Sequence, residues 1–182
     1  LRRPALGEEI TICTWPYEVK GIYALRNFMI LDQEGNYLVK ANSCWFLFDT
    51  EAGKPVRVTR SDVDAYGDEE PKLSMEYAPR KIRLPEDMEE AGRLVIMKHQ
   101  IDTNHHVNNA QYVDMARESI PEGLKIREIR ADYKKAAVLG NVIIPRVSQG
   151  SAHEWTVSLD DSATQDTYAV VWLRTEPQMQ EK

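Results

Sequence analysis

Apolar and polar residues alternate from Ile10 to Val19, a run rich in Ile, Thr, Trp and Tyr. A second run of this kind spans Tyr23 to Leu31, and a third spans Tyr37 to Phe48. A period of two in β-branched and aromatic residues marks half-buried strands. Between the second and third runs, Asp32-Gln33-Glu34-Gly35-Asn36 predicts a tight hairpin connection, and Asp49 to Lys54 predicts a polar turn after the third. The opening part of the chain therefore reads as an antiparallel meander.

From Ser61 to Glu90 the pattern fades. The stretch is acidic, and Pro71, Pro79 and Pro85 interrupt any long element. It reads as a connector with a short helical turn near Ser61 to Ala65. Strand-like character returns from Arg93 to Ile101, followed by the polar stretch Asp102 to Asn109. Ala110 to Ser119 then predicts a helix, because Tyr112, Val113, Ala116 and Ile120 recur at helical spacing and Pro121 and Gly123 stop it. Four more strands are expected at Leu124 to Tyr133, Asn141 to Ser148, Glu154 to Leu159 and Tyr168 to Thr175. A strand, a helix and a run of antiparallel strands predict an α+β sheet wrapped around one helix. The organisation expected is a first β unit over residues 1–75, a linker over 76–91 and a second unit over 92–178. Similar strand content in both units, with a helix in the second alone, suggests a tandem repeat cut at its front. The chain opens at Leu1, without Met, and runs quickly into a strand pattern, so the natural protein is expected to begin further upstream.

Composition narrows the function classes. The chain has 182 residues, 42% hydrophobic and 29% charged, which suits a folded globular protein. Its formal net charge of -6 argues against a general nucleic-acid binder. No apolar run approaches the roughly 20 residues of a membrane span, and no signal peptide is visible. Cys13 and Cys44 are too few for a disulfide scaffold and match no zinc spacing. Both are expected to be buried structural thiols in a reducing, cytoplasmic setting.

The chemistry concentrates in Asp102-Thr103-Asn104-His105-His106-Val107-Asn108-Asn109. If the backbone is extended there, Asp102, Asn104 and His106 point to one side. An imidazole can act as a general base near neutral pH, and a carboxylate can orient it. The unpaired N–H groups of the helix that follows can stabilise an oxyanion. The same residue types also serve plain helix capping. A metal site fits least, since His99, His105 and His106 form no recognised ligand spacing.

The run Asp102-x-Asn104-x-His106-Val107-Asn108-Asn109-x-x-Tyr112 resembles the signature of the acyl-acyl carrier protein thioesterases of plant plastids and bacteria. Other stretches resemble that family in the same order. They are Ile12-Cys13-Thr14-Trp15-Pro16, Arg26-Asn27-Phe28, Ala41-Asn42-Ser43-Cys44-Trp45, Glu118-Ser119-Ile120-Pro121 and Tyr133-Lys134-Lys135 leading to Gly140. The resemblance implies a tandem hotdog fold, with antiparallel sheets that each wrap a helix, the first hotdog being incomplete here. It implies hydrolysis of acyl-acyl carrier protein to free fatty acid, with no metal or organic cofactor. Asp102, Asn104 and His106 become the catalytic candidates: His106 with the Asn104 amide activates water, Asp102 orients the pair, and a backbone N–H among Val107, Asn108 and Asn109 binds the oxyanion. The partner implied is acyl carrier protein with its phosphopantetheine-linked acyl chain, met in the cytoplasm or in a plastid stroma. Hydrolysis of acyl-coenzyme A by the same fold, and a non-catalytic acyl-binding module, are the competing readings.

Two departures from the family's pattern stand out. Plant members carry a functional Glu and then Cys where this chain has Ala136 and Ala137. The strand and central helix that open the family's first hotdog have no counterpart before Trp15, so the first sheet is expected to lack a helical cover, and a homodimer would be one way to cover it. Trp15, Trp45, Trp155 and Trp172 are expected to pack in the core, and the aromatic face of Phe46 and Phe48 to pack or else to line an acyl tunnel. Arg127, Arg130, Lys134 and Lys135 form a basic cluster in an acidic protein. They read as solvated strand charges or, more sharply, as a docking patch for the acidic carrier protein, to which Arg2, Arg3 and Arg26 could add. The acidic run Asp68-Glu69-Glu70 reads as solvated linker.

Overall fold

Alternation in the first three runs becomes three long strands in the computed structural model, which describes residues 2–64 and 69–177. They are β1 (Thr11–Lys20), β2 (Tyr23–Leu31) and β3 (Tyr37–Asp49), and a short β4 (Lys54–Val56) follows. The sheet order is β1-β2-β3-β4 and every pairing is antiparallel. The β2–β3 hairpin closes as expected. Asp32 Oδ1 accepts the N–H groups of Glu34 and Asn36 at 3.1 and 2.8 Å, and Gly35 takes a φ of +81° that a side chain would oppose. Pro16 lies in β1, an edge strand, and the register shifts between Pro16 and Glu18, as befits a residue without an N–H. The helical turn is α1 (Arg60–Asp64); the expected end at Ala65 lies outside the described residues, as does Asp68 of the acidic run.

The chain divides into two compact units, Leu1–Ala78 and Pro79–Lys182. In the first unit, strand register separates two faces. Ile12, Ile30 and Val39 line up across β1, β2 and β3, as do Ala24 and Trp45 across β2 and β3. This apolar face is open: Ile12 is 67% exposed and Trp45 57%. The opposite face holds Asn27, which is fully buried, and receives the segment from Pro71 to Tyr77. Trp15 Nε1 donates to the Pro71 carbonyl at 2.9 Å, and Leu73 N–H donates to Asn27 Oδ1 at 3.0 Å. The Tyr77 hydroxyl lies 2.9 Å from Asn27 Nδ2, and its ring meets Tyr17 edge-on. The stretch read as connector is thus, in its 71–77 portion, a cover for the first sheet.

Several burial expectations are overturned here. Cys44, Trp45, Phe46 and Phe48 are all exposed, because alternation assigns residues to a face but not a cover to that face. Cys13 and Trp15 are half-buried. In the second unit Trp155 and Trp172 are half-buried as well, Trp155 packed against the core cluster and Trp172 flanked by the Arg130 and Arg174 guanidiniums, each 5.8 Å from its ring centre.

The second unit contains β5 (Glu89–Glu90), β6 (Leu94–Val95), a 3₁₀ turn (Lys98–Gln100), α2 (Asn109–Glu118), β7 (Ile126–Tyr133), β8 (Val142–Gln149), β9 (Glu154–Asp161) and β10 (Thr167–Thr175). The sheet runs β5-β8-β9-β10-β7, with β6 also on β8. Its strands therefore begin at Glu89, inside the stretch read as linker. The single strand expected over Arg93 to Ile101 is instead two residues of β6 and the 3₁₀ turn. Between β5 and β6 the pairing with β8 is interrupted opposite Pro145, whose carbonyl takes the Ala91 N–H at 2.8 Å, beside Gly92 at φ +99°. α2 starts at its cap, where Asn108 Oδ1 accepts Ala110 N–H at 2.9 Å. Its buried Tyr112, Met115 and Ala116 pack with Ile96, Ile143, Val157, Leu159, Ala169, Val171 and Leu173. Burial of each large side chain in that cluster stabilises the unit by about 2 kcal/mol. The sheet wraps one helix, as the periodicity predicts.

Candidate functional site

The stretch from Asp102 to Asn108 is not an extended strand. An isolated antiparallel bridge joins Ile101 to Val107, and the residues between them turn back. Asp102 N–H donates to the His106 carbonyl at 2.8 Å, and His105 N–H to the Asp102 carbonyl at 3.1 Å. His105 takes a φ of +62° to make the turn. The Asp102 carboxylate accepts Asn104 N–H at 2.8 Å and, more weakly, His106 N–H at 3.4 Å. Local side-chain to backbone bonds of this kind outcompete strand geometry. The expected alternation of Asp102, Asn104 and His106 along one side is therefore wrong. One short turn brings the three together, and Asp102 meets the backbone of the other two.

Asn104 and His106 are exposed, Asp102 is half-buried and Val107 is buried. The turn delivers the chain into the α2 N-terminus. Two of the three N–H groups proposed for an oxyanion are already engaged: Val107 donates to the Ala137 carbonyl and Asn108 to the Gln100 carbonyl, both at 2.9 Å. Asn109, the first helical residue, keeps an N–H for which helix geometry supplies no acceptor.

Residues beyond the expected set also meet here. The Tyr112 hydroxyl accepts Ala137 N–H at 2.8 Å, and Tyr133 donates its hydroxyl to the Asn109 carbonyl at 3.1 Å. The two rings stand 6.0 Å apart. Burial raises the pKa of both phenols, so both are protonated at neutral pH. The available signal was a tyrosine at a core position, since a buried phenol needs a polar partner. Ala136 is exposed and Ala137 fully buried. Among the described residues no group of three or more His, Cys, Asp and Glu side chains could share a metal ion.

The basic cluster does not form one open patch. Arg127 and Arg130, three residues apart on β7, project from opposite faces. Arg127 Nε pairs with Glu176 at 2.9 Å, Arg130 donates to the Pro79 carbonyl at 2.6 Å, and Lys135 pairs with Asp166 at 2.7 Å. Lys134 stands 3.9 Å from Asp132. Arg2 bridges Glu8 and Asp32 at 2.6 and 3.2 Å. Solvent-screened pairs like these add little to stability.

Residues 1–66 match the acyl-ACP thioesterase N-terminal domain family, and residues 86–171 match the corresponding C-terminal domain family. The chain belongs to the acyl-ACP thioesterase family. It is 23% identical over 154 residues to the chloroplastic oleoyl-acyl carrier protein thioesterase 1 of Arabidopsis thaliana, covering 77% of this chain and 42% of that protein. It is 25% identical over 169 residues to the oleoyl enzyme of Coriandrum sativum, covering 83% and 46%. The chain thus spans less than half the length of these curated relatives. The fold matches the crystal structure of an acyl-ACP thioesterase from Bacteroides thetaiotaomicron with a TM-score of 0.81 at 21% identity, over 93% of this chain and 69% of the other. It matches the 12:0-ACP thioesterase of Umbellularia californica with a TM-score of 0.77 at 16% identity, over 96% and 70%. The hotdog-type α+β fold expected from the sequence is the fold of this family member. The helix-wrapped sheet is in its second unit, and in the first unit the described helix is the short α1.

Proposed function

We propose that this chain carries the hydrolytic site of a thioesterase that releases a fatty acid from acyl carrier protein. The observation that supports it best is the Asp102–Asn108 turn, which presents exposed Asn104 and His106 at the N-terminus of α2. In this reading His106, with the Asn104 amide oxygen, takes a proton from water as the water oxygen bonds to the thioester carbon. The Asn109 N–H faces the oxygen that gains charge. The carbon–sulfur bond then breaks, and the proton passes from His106 to the departing thiolate, giving a carboxylic acid and the carrier's free thiol. Asp102 serves by holding the turn.

A second reading, a non-catalytic acyl-binding module, is favoured by Ala136, which offers no carboxylate where the family's plant members have one. Release of free fatty acid from acyl-carrier and acyl-coenzyme A thioesters decides between them. Turnover that prefers the carrier form and falls at least about a hundredfold in His106→Ala supports the proposal. Turnover that survives His106→Ala overturns the mechanism. Acyl binding without turnover, even after Ala136→Glu, favours the binding module.

A further inference from the structure

Tyr112 is 2% exposed and Ala137 fully buried, and they form the middle of a chain of bonds that ends on the hydrolytic turn. Ala137 donates its N–H to the Tyr112 hydroxyl at 2.8 Å, while its carbonyl accepts the Val107 N–H at 2.9 Å. Val107 is the residue after His106 and closes the turn through its bridge to Ile101. We propose that Tyr112 is a positioning residue for hydrolysis: through Ala137 its hydroxyl fixes the backbone that sets where Asn104 and His106 stand.

This rests on the thioesterase reading and adds to it a residue that never needs to touch substrate. Three observations separate it from plain core packing. A phenylalanine would fill the same space, yet it would leave the buried Ala137 N–H without an acceptor. The Tyr112 hydroxyl keeps its own proton: among the described residues it is given to no protein acceptor. Asp102 is the charge that bears on this phenol, and its Oδ2 accepts no hydrogen bond among the described residues. The phenol therefore acts on the turn through its Val107 end, by way of the Ala137 N–H and carbonyl.

The test compares the chain with Tyr112→Phe and Ile120→Val. Ile120→Val trims the same helix-side core by one methyl group, at a distance from the turn. On the thioester that the unsubstituted chain hydrolyses best, Tyr112→Phe is expected to lower kcat about tenfold or more, with KM changed less than about twofold. Ile120→Val is expected to leave kcat per folded molecule within about twofold. By amide hydrogen exchange, Val107 N–H should exchange about tenfold faster in Tyr112→Phe relative to the Val157 amide in the core. An unchanged kcat in folded Tyr112→Phe, or a loss matched by Ile120→Val, overturns the positioning role. Absence of turnover by the unsubstituted chain on every thioester instead overturns the thioesterase reading, and the positioning role with it.

Discussion

The Asp102 carboxylate is bound to the backbone N–H of Asn104, two residues along the chain, at 2.8 Å. That bond makes the turn a property of the side-chain oxygen at position 102, whatever its charge. Asp102→Ala is expected to destabilise the second unit by about 1 kcal/mol, read from denaturant midpoints. Asp102→Asn keeps an oxygen acceptor and should lose less than half of that. Both should lose thioester turnover if the charge also serves the chemistry. Equal stability of the Ala and Asn variants would show that the bond does not hold the turn.

At the β9–β10 hairpin, the Tyr168 hydroxyl donates to Asp161, which also accepts Ala163 N–H at 2.8 Å and Thr164 N–H at 3.3 Å. Lys135 and Asp166 face the pair. The bond from Tyr168, with the backbone donors, holds the Asp161 pKa below its ordinary 3.8. Burial first, then the bond to Asp161, raises the Tyr168 pKa above its ordinary 10.0. The depressed acid contributes stability that is complete above its unfolded value and is lost as pH falls through its folded one. The raised phenol contributes stability that is complete below its unfolded value and is lost as pH rises through its folded one. Stability from this pair should be flat near neutrality and fall below about pH 4 and above about pH 10. Tyr168→Phe should flatten the alkaline limb and soften the acid one in urea midpoints measured across pH. An alkaline limb of unchanged size in that variant would assign it to other groups.

Asn27 joins β2 to the 71–77 segment through Leu73 N–H and the Tyr77 hydroxyl, with its side chain fully buried. Asn27→Ala is expected to cost about 1–3 kcal/mol, since it leaves the buried Leu73 N–H without its acceptor, while the Tyr77 hydroxyl keeps the Leu73 carbonyl at 2.9 Å. Hydrogen exchange at the Leu73 amide should accelerate more than exchange within β2. Tyr77→Phe, which leaves the Leu73 bond in place, should cost less. If Leu73 exchange is unchanged in Asn27→Ala, the segment is held to the sheet by packing alone.

Much of this molecule was legible along the chain. Period-two alternation gave the three long strands of the first unit and the last four of the second, to within a residue or two. Capping and helical spacing placed α2. Those signals are local, because side-chain alternation and helix-end bonding involve residues only a few positions apart. The candidate motif was legible as residue types in order, and this is why Asp102, Asn104 and His106 could be named. Its shape was not, because alternation does not say that the Asp102 carboxylate will take the backbone N–H groups of Asn104 and His106, nor that Val107 will be held by Ala137, thirty residues away.

Which side chains are covered belongs to the tertiary structure alone. Asn27 and Trp45 both sit in strands of the first sheet. The first is buried because the 71–77 segment lies on its face, and the second is exposed on the other. The basic residues read as one cluster because they are close in sequence, yet the pleat of β7 sends Arg127 and Arg130 to opposite sides. The sequence by itself determined the long strands, α2 and the residue types available at the motif. The fold decided what holds the turn at Val107, the partners of Tyr112 and the faces left open, since each depends on contacts between residues that chain order keeps far apart.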